Sequence, residues 1–238
     1  MPRVFAALLL AYAILIGAPA HASDASVRQA FIARFPGATV DSVTRMPMGG
    51  LYEIVFEGQI VYTDEKVSYI LSGNLFDLRG STERNLTRER MSQIAAQTLS
   101  KSHDAAIKRV KGSGKRVIYT FEDPNCGYCK ELQKELVKMN DVTIYTFLLP
   151  ILSPESADKS KAIWCARDRA KAWDDAMLKG VIPAAARKDC ETPFERTAQL
   201  AQRFGIRGTA AVYLANGQQI GGYLPADKIE QALNAPAR

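Results

Sequence analysis

The chain has 238 residues, 47% of them hydrophobic, and a formal net charge of +6. That composition belongs to a globular protein long enough for one large domain or two smaller ones. Basic residues are interleaved with acids in Lys130–Lys138 and Asp158–Asp175, which reads as solvated helix faces and argues against a nucleic-acid-binding stripe.

The chain opens with Arg3, an apolar run from Val4 to Ile16 and the small-residue ending Ala20-His21-Ala22. These are the parts of a secretory signal peptide, with cleavage expected after Ala22. The run is short of the roughly 20 apolar residues that cross a bilayer. A helix is predicted over Ala25–Phe35, stopped by Pro36-Gly37. Strands follow at Thr39–Arg45, Leu51–Phe56, Ile60–Thr63, Val67–Leu71 and Leu75–Asp77, broken at Gly49-Gly50, Glu57-Gly58 and Ser72-Gly73. This unit has a small core and no cysteine to staple it, so pairing with a second copy through strand edges would help it stand.

A polar helix is expected from Thr87, as its cap, to about Val110, with Met91, Ile94, Ala95 and Leu99 at helical spacing. Arg90 stands where a capping box would have an acid. Lys111-Gly112-Ser113-Gly114-Lys115 ends the helix and lacks the spacing of a phosphate-binding loop. From there strand and helix alternate. Arg116–Phe121 is a strand, Cys129–Met139 an amphipathic helix, Val142–Leu149 a second buried strand, and Ser156–Leu178 a helical block. Pro193–Phe204 is a further helix, Ala211–Leu214 and Gln219–Gly222 a hairpin about Asn216-Gly217, and Ala226–Leu233 the last helix. The fold class is α+β: a small β-rich first domain (23–85) after a leader (1–22), a helical linker (86–110), and a thioredoxin-like domain (111–238) with a helical insertion.

The chemistry lies in four cysteines, Cys126, Cys129, Cys165 and Cys190. Export places them where disulfides persist, and four cysteines allow three connectivities. If Cys126 pairs with Cys129, the second bridge is Cys165–Cys190, a structural link. Cys126 stands where a strand turns into a helix after Asp123-Pro124-Asn125. A free thiol of pKa about 8.5 is only about 3% ionised at neutral pH, and the unpaired N–H groups of a first helical turn favour its thiolate. Cys126 is therefore expected exposed and attacking, and Cys129, one turn on, buried and resolving. Gly127 leaves room for a substrate chain and Tyr128 offers an aromatic rim. The single cysteines elsewhere argue against a zinc site, and no metal or other cofactor is expected. His103 reads as a proton shuttle or, more plainly, a solvated linker residue; Asp123 as a proton carrier or a turn former.

The segment Phe121–Cys129, the segment Ala162-Ile163-Trp164-Cys165-Ala166, and Gly208-Thr209 with Asn216-Gly217 resemble the bacterial periplasmic disulfide isomerases of the DsbC type (the DsbC/DsbG branch) over essentially the whole mature chain. The resemblance implies a periplasmic homodimer joined through its first domains, misfolded disulfide-containing exported proteins as substrates, and electrons from a membrane thiol reductase of the DsbD type. The implied activity is isomerisation and reduction of wrong disulfides. Reduction of sulfenylated single cysteines, or holdase chaperoning, stand as alternatives. One position departs. The family's cis-proline after Thr209 is Ala210 here, and a cis bond before a non-proline residue costs about 2.5–4 kcal/mol, so the bond stands open between cis and trans, and a trans bond would move the loop facing the cysteines.

Overall fold

The computed structural model describes residues 23–184 and 189–235. The leader and its cleavage position after Ala22 lie outside the described residues. Among those described, no helix is long and apolar enough to cross a membrane.

Helix α1 (Asp24–Arg34) begins at Ser23, whose side chain accepts from the Ser26 N–H. It packs on a four-stranded antiparallel sheet of β1 (Val40–Arg45), β2 (Leu51–Phe56), β3 (Gln59–Asp64) and β4 (Ile70–Ser72), in that spatial order. The two-residue side-chain period divides the central strands. Tyr52, Ile54 and Val61 point with Val43 toward Val27 and Phe31 of α1. Val55, Ile60 and Tyr62 point the other way, where Met91 and Ile94 cover them. Both faces of β2 and β3 are thus covered, and their sequences read as near-continuous apolar runs. The expected strand from Val67 starts later, because Val67 turns at φ 54° while the Asp64 carboxylate holds the N–H groups of Ser68 and Tyr69.

A short ladder of β5 (Phe76–Asp77) and β6 (Arg84–Asn85) leads into α2 (Leu86–Ser100). Asn85 caps α2 by accepting from the Arg88 N–H at 2.8 Å. Thr87, expected as the cap, lies buried inside the first turn, bonded to the Tyr62 hydroxyl and to the Leu75 N–H. Arg90, out of place for a capping box, pairs instead with the buried Glu53 of β2 at 3.0 Å and so docks the helix on the first sheet.

Helix α2 ends ten residues before Val110. Its expected continuation is a 3-10 turn at His103–Ala105 and then β7 (Ile107–Lys111). That strand hid from a hydrophobicity reading because two of its three inward positions, Arg109 and Lys111, are basic.

Strand β7 is the edge of a five-stranded sheet with β8 (Arg116–Glu122), β9 (Val142–Leu148), β10 (Ala211–Leu214) and β11 (Gln219–Gly221), ordered β11-β10-β8-β9-β7. Only β8 and β9 run parallel, which requires the crossover helix α3 (Gly127–Lys138) between them. One face of the sheet buries Ile118, Ile144 and Val212 against Leu132 and Leu136 of α3 and Ile229 of α7 (Ala226–Asn234). The opposite face buries Tyr119, Phe121, Tyr145, Phe147 and Tyr213 against Leu99 of α2 and Leu200 of α6 (Phe194–Arg203).

The inserted block is not one helix. It divides into α4 (Pro154–Trp164), α5 (Arg169–Asp174) and a π-helical turn, Asp175–Lys179. Cys165 caps the end of α4 and is disulfide-bonded to Cys190, with Cα atoms 6.1 Å apart. Constraining a loop of that length stabilises the fold by about 3 kcal/mol on the chain-entropy estimate.

Glycine is needed at the Asn216-Gly217 turn between β10 and β11. Gly217 has φ 78°, and a Cβ there would lie 1.9 Å from the Ser92 carbonyl oxygen of α2. The hairpin can pack on the linker helix only because that side chain is absent.

Candidate functional site

Strand β8 ends at Glu122, and the next three residues build the turn that presents Cys126. The buried Asp123 carboxylate accepts from the N–H groups of Asn125 (2.8 Å), Ile151 (3.0 Å) and Leu152 (3.1 Å). Its carbonyl oxygen accepts from the Cys126 N–H at 3.0 Å. Asp123 is thus the turn former of its two readings, and it ties the cysteine turn to the loop after β9. Asn125 extends the tie, donating to Ser153 and Ser156 and accepting from the Lys159 ammonium at 2.8 Å.

Cys126 is the N-cap of α3, and its Sγ accepts from the Cys129 N–H at 3.2 Å. An orphan donor of the first turn is therefore spent on the Cys126 sulfur. Both cysteines are free thiols.

Cys126 is buried, only 5% exposed, against the expectation of an exposed nucleophile. The covering residue comes from the loop before β10: the Cys126 thiol donates to the Thr209 carbonyl at 3.3 Å. The Thr209–Ala210 peptide bond, which the sequence left open between cis and trans, is cis. Ala210 packs against the apolar cluster that includes both cysteines, and a Cβ on Gly222 would sit 2.8 Å from the Ala210 carbonyl oxygen. Gly127 and Tyr128 are exposed beside Cys126, Tyr128 at 70%. Among the described residues, nothing lies within 4 Å of where a Gly127 side chain would begin.

Cys129 is fully buried one turn deeper, in a cluster with Ile163, Trp164, Trp173 and Met177. Burial first, and then the charge of Glu122, push its thiol well above the ordinary range.

Glu122 is a residue the sequence reading passed over: a carboxylate with no solvent exposure at the end of a core strand. Gln133, one turn beyond Cys129 on α3, donates its amide to both Glu122 oxygens at 2.7 and 2.8 Å. Arg109 of β7 bonds the Gln133 oxygen at 2.6 Å, Asp174 at 2.9 Å and Thr146 at 3.1 Å. Burial raises the Glu122 proton affinity, and Arg109 opposes that rise. The available signal was an acid ending an otherwise apolar and hydroxylic strand, because a buried charge needs partners.

His103 is neither a shuttle to the cysteines nor simply solvated. It stacks on Tyr145 with ring centroids 3.8 Å apart, and its Nε2 is 3.1 Å from the Tyr119 hydroxyl. Burial and then the neighbouring Lys108 pull its proton affinity below the usual imidazole range.

Comparison with known proteins bears on this arrangement. A family model described as the thioredoxin-like domain matches residues 103–236, and one described as the disulfide bond isomerase protein N-terminal domain matches residues 18–88. The chain is 43% identical over 217 residues to the probable thiol:disulfide interchange protein DsbC of Bordetella parapertussis, covering 91% of this chain and 76% of that protein. It is 32% identical to the thiol:disulfide interchange protein DsbC of Salmonella typhimurium, covering 94% and 92%. Among solved structures, a disulfide interchange protein from Neisseria gonorrhoeae aligns with a TM-score of 0.53 and 42% identity, over 56% of this chain and 95% of that one.

Proposed function

The chain belongs to the DsbC family of thiol:disulfide interchange proteins, and from that premise we propose that Cys126 and Cys129 are its reacting pair, isomerising and reducing wrong disulfides in exported proteins. One observation carries the assignment. A free thiol caps a helix, accepts that helix's N–H, and has a second free thiol behind it.

The Cys126 thiolate attacks one sulfur of a substrate disulfide, giving a mixed disulfide and releasing the other sulfur as thiolate. A second substrate thiol then attacks and leaves a rearranged substrate. Alternatively, the Cys129 thiolate attacks Cys126, and the substrate leaves reduced. Thr209, Ala210, Gly127 and Tyr128 shape the approach: the first two close over Cys126 and the last two are open beside it. Trapping tests this directly. Cys129→Ser should accumulate a Cys126-linked mixed disulfide with a disulfide-bonded peptide, whose other sulfur leaves as thiolate, resolved by mass spectrometry after acid quench. Absence of that adduct would sink the assignment.

The compartment is the periplasm, reached by removal of residues 1–22. The electron donor is a membrane thiol reductase of the DsbD type. Residues 23–85 form the dimerisation domain and α2 the link, and the catalytic domain takes in β7 from Ile107, ahead of the boundary at 111 expected from the sequence. The homodimer forms along β4, the outer strand of the first sheet. Its edge carries backbone groups suited to pairing, and Ile70 and Leu71 are exposed there beside Tyr69. Leu71→Asp should weaken dimerisation by about tenfold or more, about 1.4 kcal/mol, read by sedimentation equilibrium. An unchanged dimer constant would move the interface elsewhere.

A further inference from the structure

We propose that Arg203 is a positioning residue for Cys126: docked on the first domain, it braces the loop that carries Thr209 over the thiol. The inference rests on the reading of Cys126 as the reacting thiol, and it adds that the first domain governs access to it.

The contact is built from both sides. On the first domain, the pairing of β1 with β2 slips between Val40 and Ser42, so Asp41 is the extra residue of a β-bulge. A bulge re-aims its side chain, and the Asp41 carboxylate accepts from the Arg203 guanidinium at 3.0 Å. The neighbouring turn between β2 and β3, Glu57-Gly58, has φ 48° and 77°, the left-handed pair of a tight hairpin turn. A Cβ on Gly58 would lie 2.0 Å from the Arg203 carbonyl oxygen. Backbone meets backbone there, and only glycine lets it. One arginine thus touches the first sheet twice, by its side chain and by its main chain.

On the other side, Arg203 is the last residue of α6. The Gly205 N–H bonds the Gln202 carbonyl at 3.0 Å and the Ile206 N–H the Ala201 carbonyl at 2.8 Å, with Gly205 at φ 65°. These are the two bonds of a Schellman stop, which makes a stiff junction between the helix and the loop beyond it. Thr209 follows Ile206 by three residues, and its carbonyl accepts from the Cys126 thiol. The body of α6 is held on the sheet through Leu200 and Phe204. Its last turn is the part open to fraying, and the first domain clamps that turn from outside.

The consequence is a coupling between domain docking and the site. Cys126 is 5% exposed with Thr209 over it, so a reagent or substrate reaches the sulfur when the loop yields. While the domains are docked, the end of α6 holds the loop shut. When they part, the last turn loosens and Cys126 opens. Helix α2 packs Met91 and Ile94 on the first sheet and Leu99 on the second, so it keeps the two halves joined while the Arg203 contact breaks and reforms.

The test is alkylation of the reduced full-length protein with iodoacetamide, located on Cys126 by peptide mass spectrometry. Arg203→Ala and Asp41→Ala should each react about threefold to fivefold faster than wild type, the scale of a half-exposed ion pair. The double variant should be no faster than either single one, because the same contact is lost only once. Arg203→Lys, which keeps the cation, should stay close to wild type. Gly58→Ala, which drives a methyl group into the Arg203 carbonyl, should react about tenfold faster. Gly37→Ala is its control: Gly37 also has a positive φ, 91°, but among the described residues nothing lies within 4 Å of its Cβ position, so the wild-type rate should hold. The same ratios should persist at about pH 9.5, where an ordinary thiol of pKa about 8.5 is already mostly ionised, because access and not ionisation has changed. Wild-type rates in Arg203→Ala and Gly58→Ala would overturn the proposal. So would additive effects of Asp41→Ala and Arg203→Ala, or labelling of the deeply buried Cys129 in step with Cys126, which would mean general unfolding. Access to Cys126 is read here without disulfide chemistry. A failed brace therefore leaves the assignment of Cys126 standing, and a missing mixed disulfide would leave these rates unmoved.

Discussion

Cys126→Ser is expected to abolish disulfide exchange, a loss of at least about 10³-fold, while the protein stays folded. The reasoning is local. Exchange proceeds by attack of a sulfur anion on sulfur, and a serine oxygen neither ionises usefully near neutral pH nor forms a comparable link. Serine fits the N-cap well, since its hydroxyl can accept the residue 129 N–H that the Cys126 sulfur now accepts. Helix α3 should therefore keep its cap, and circular dichroism and thermal melting should match wild type within about 1 kcal/mol. The assay is recovery of native activity from a scrambled disulfide protein. Equal recovery with both proteins would mean that holding apolar chains, and not exchange, is the activity. The in-cell state of the pair adds a second check, because a persistently oxidised Cys126–Cys129 would indicate a thiol oxidant.

Trp173→Ala should produce the largest loss of stability, about 3–5 kcal/mol. Trp173 has no solvent exposure and packs in the cluster that contains Cys126 and Cys129, with Ile163, Trp164 and Met177 around it. Deleting the indole leaves a cavity directly beneath the site, so urea denaturation should show a reduced midpoint with little change in slope. Trp173→Phe provides the contrast. The Trp173 Nε1 is buried with no hydrogen-bond partner among the described residues, so replacing the indole removes a costly orphan donor along with some volume. The net cost should stay near 1.5 kcal/mol or less, as for other near-isosteric core changes. A Trp173→Ala variant as stable as wild type would show that this region is not part of the cooperative core.

Most elements were legible because their signals are local. The run Leu51–Phe56, the Asn216-Gly217 turn and the amphipathic stretch from Cys129 each carry their own period or turn chemistry, and the folded elements match them closely. Strand β7 was not legible, because its inward positions carry Arg109 and Lys111, whose burial makes sense only beside Gln133, Asp174 and the end of α3. Thr87 likewise reads as a cap by residue type alone. The Asn85 side chain reaches the helix N–H instead, while Tyr62, 25 positions away, claims the Thr87 hydroxyl.

For the site, the amino-acid order alone singled out the cysteine pair proposed to react. A Cys-x-x-Cys spacing after a strand and opening a helix sets both sulfurs at one helix end, whatever the rest of the chain does. Only the tertiary structure decided how those sulfurs are covered. Thr209, far along the chain, closes over Cys126, and Glu122, Gln133 and Arg109 converge behind Cys129 from three different elements. Burial and charge at a point in space are sums over residues distant in sequence. No window of the chain contains them. The candidate pair was therefore readable from nine consecutive residues, whereas its burial and the Glu122–Gln133–Arg109 network emerged only from the packed sheet.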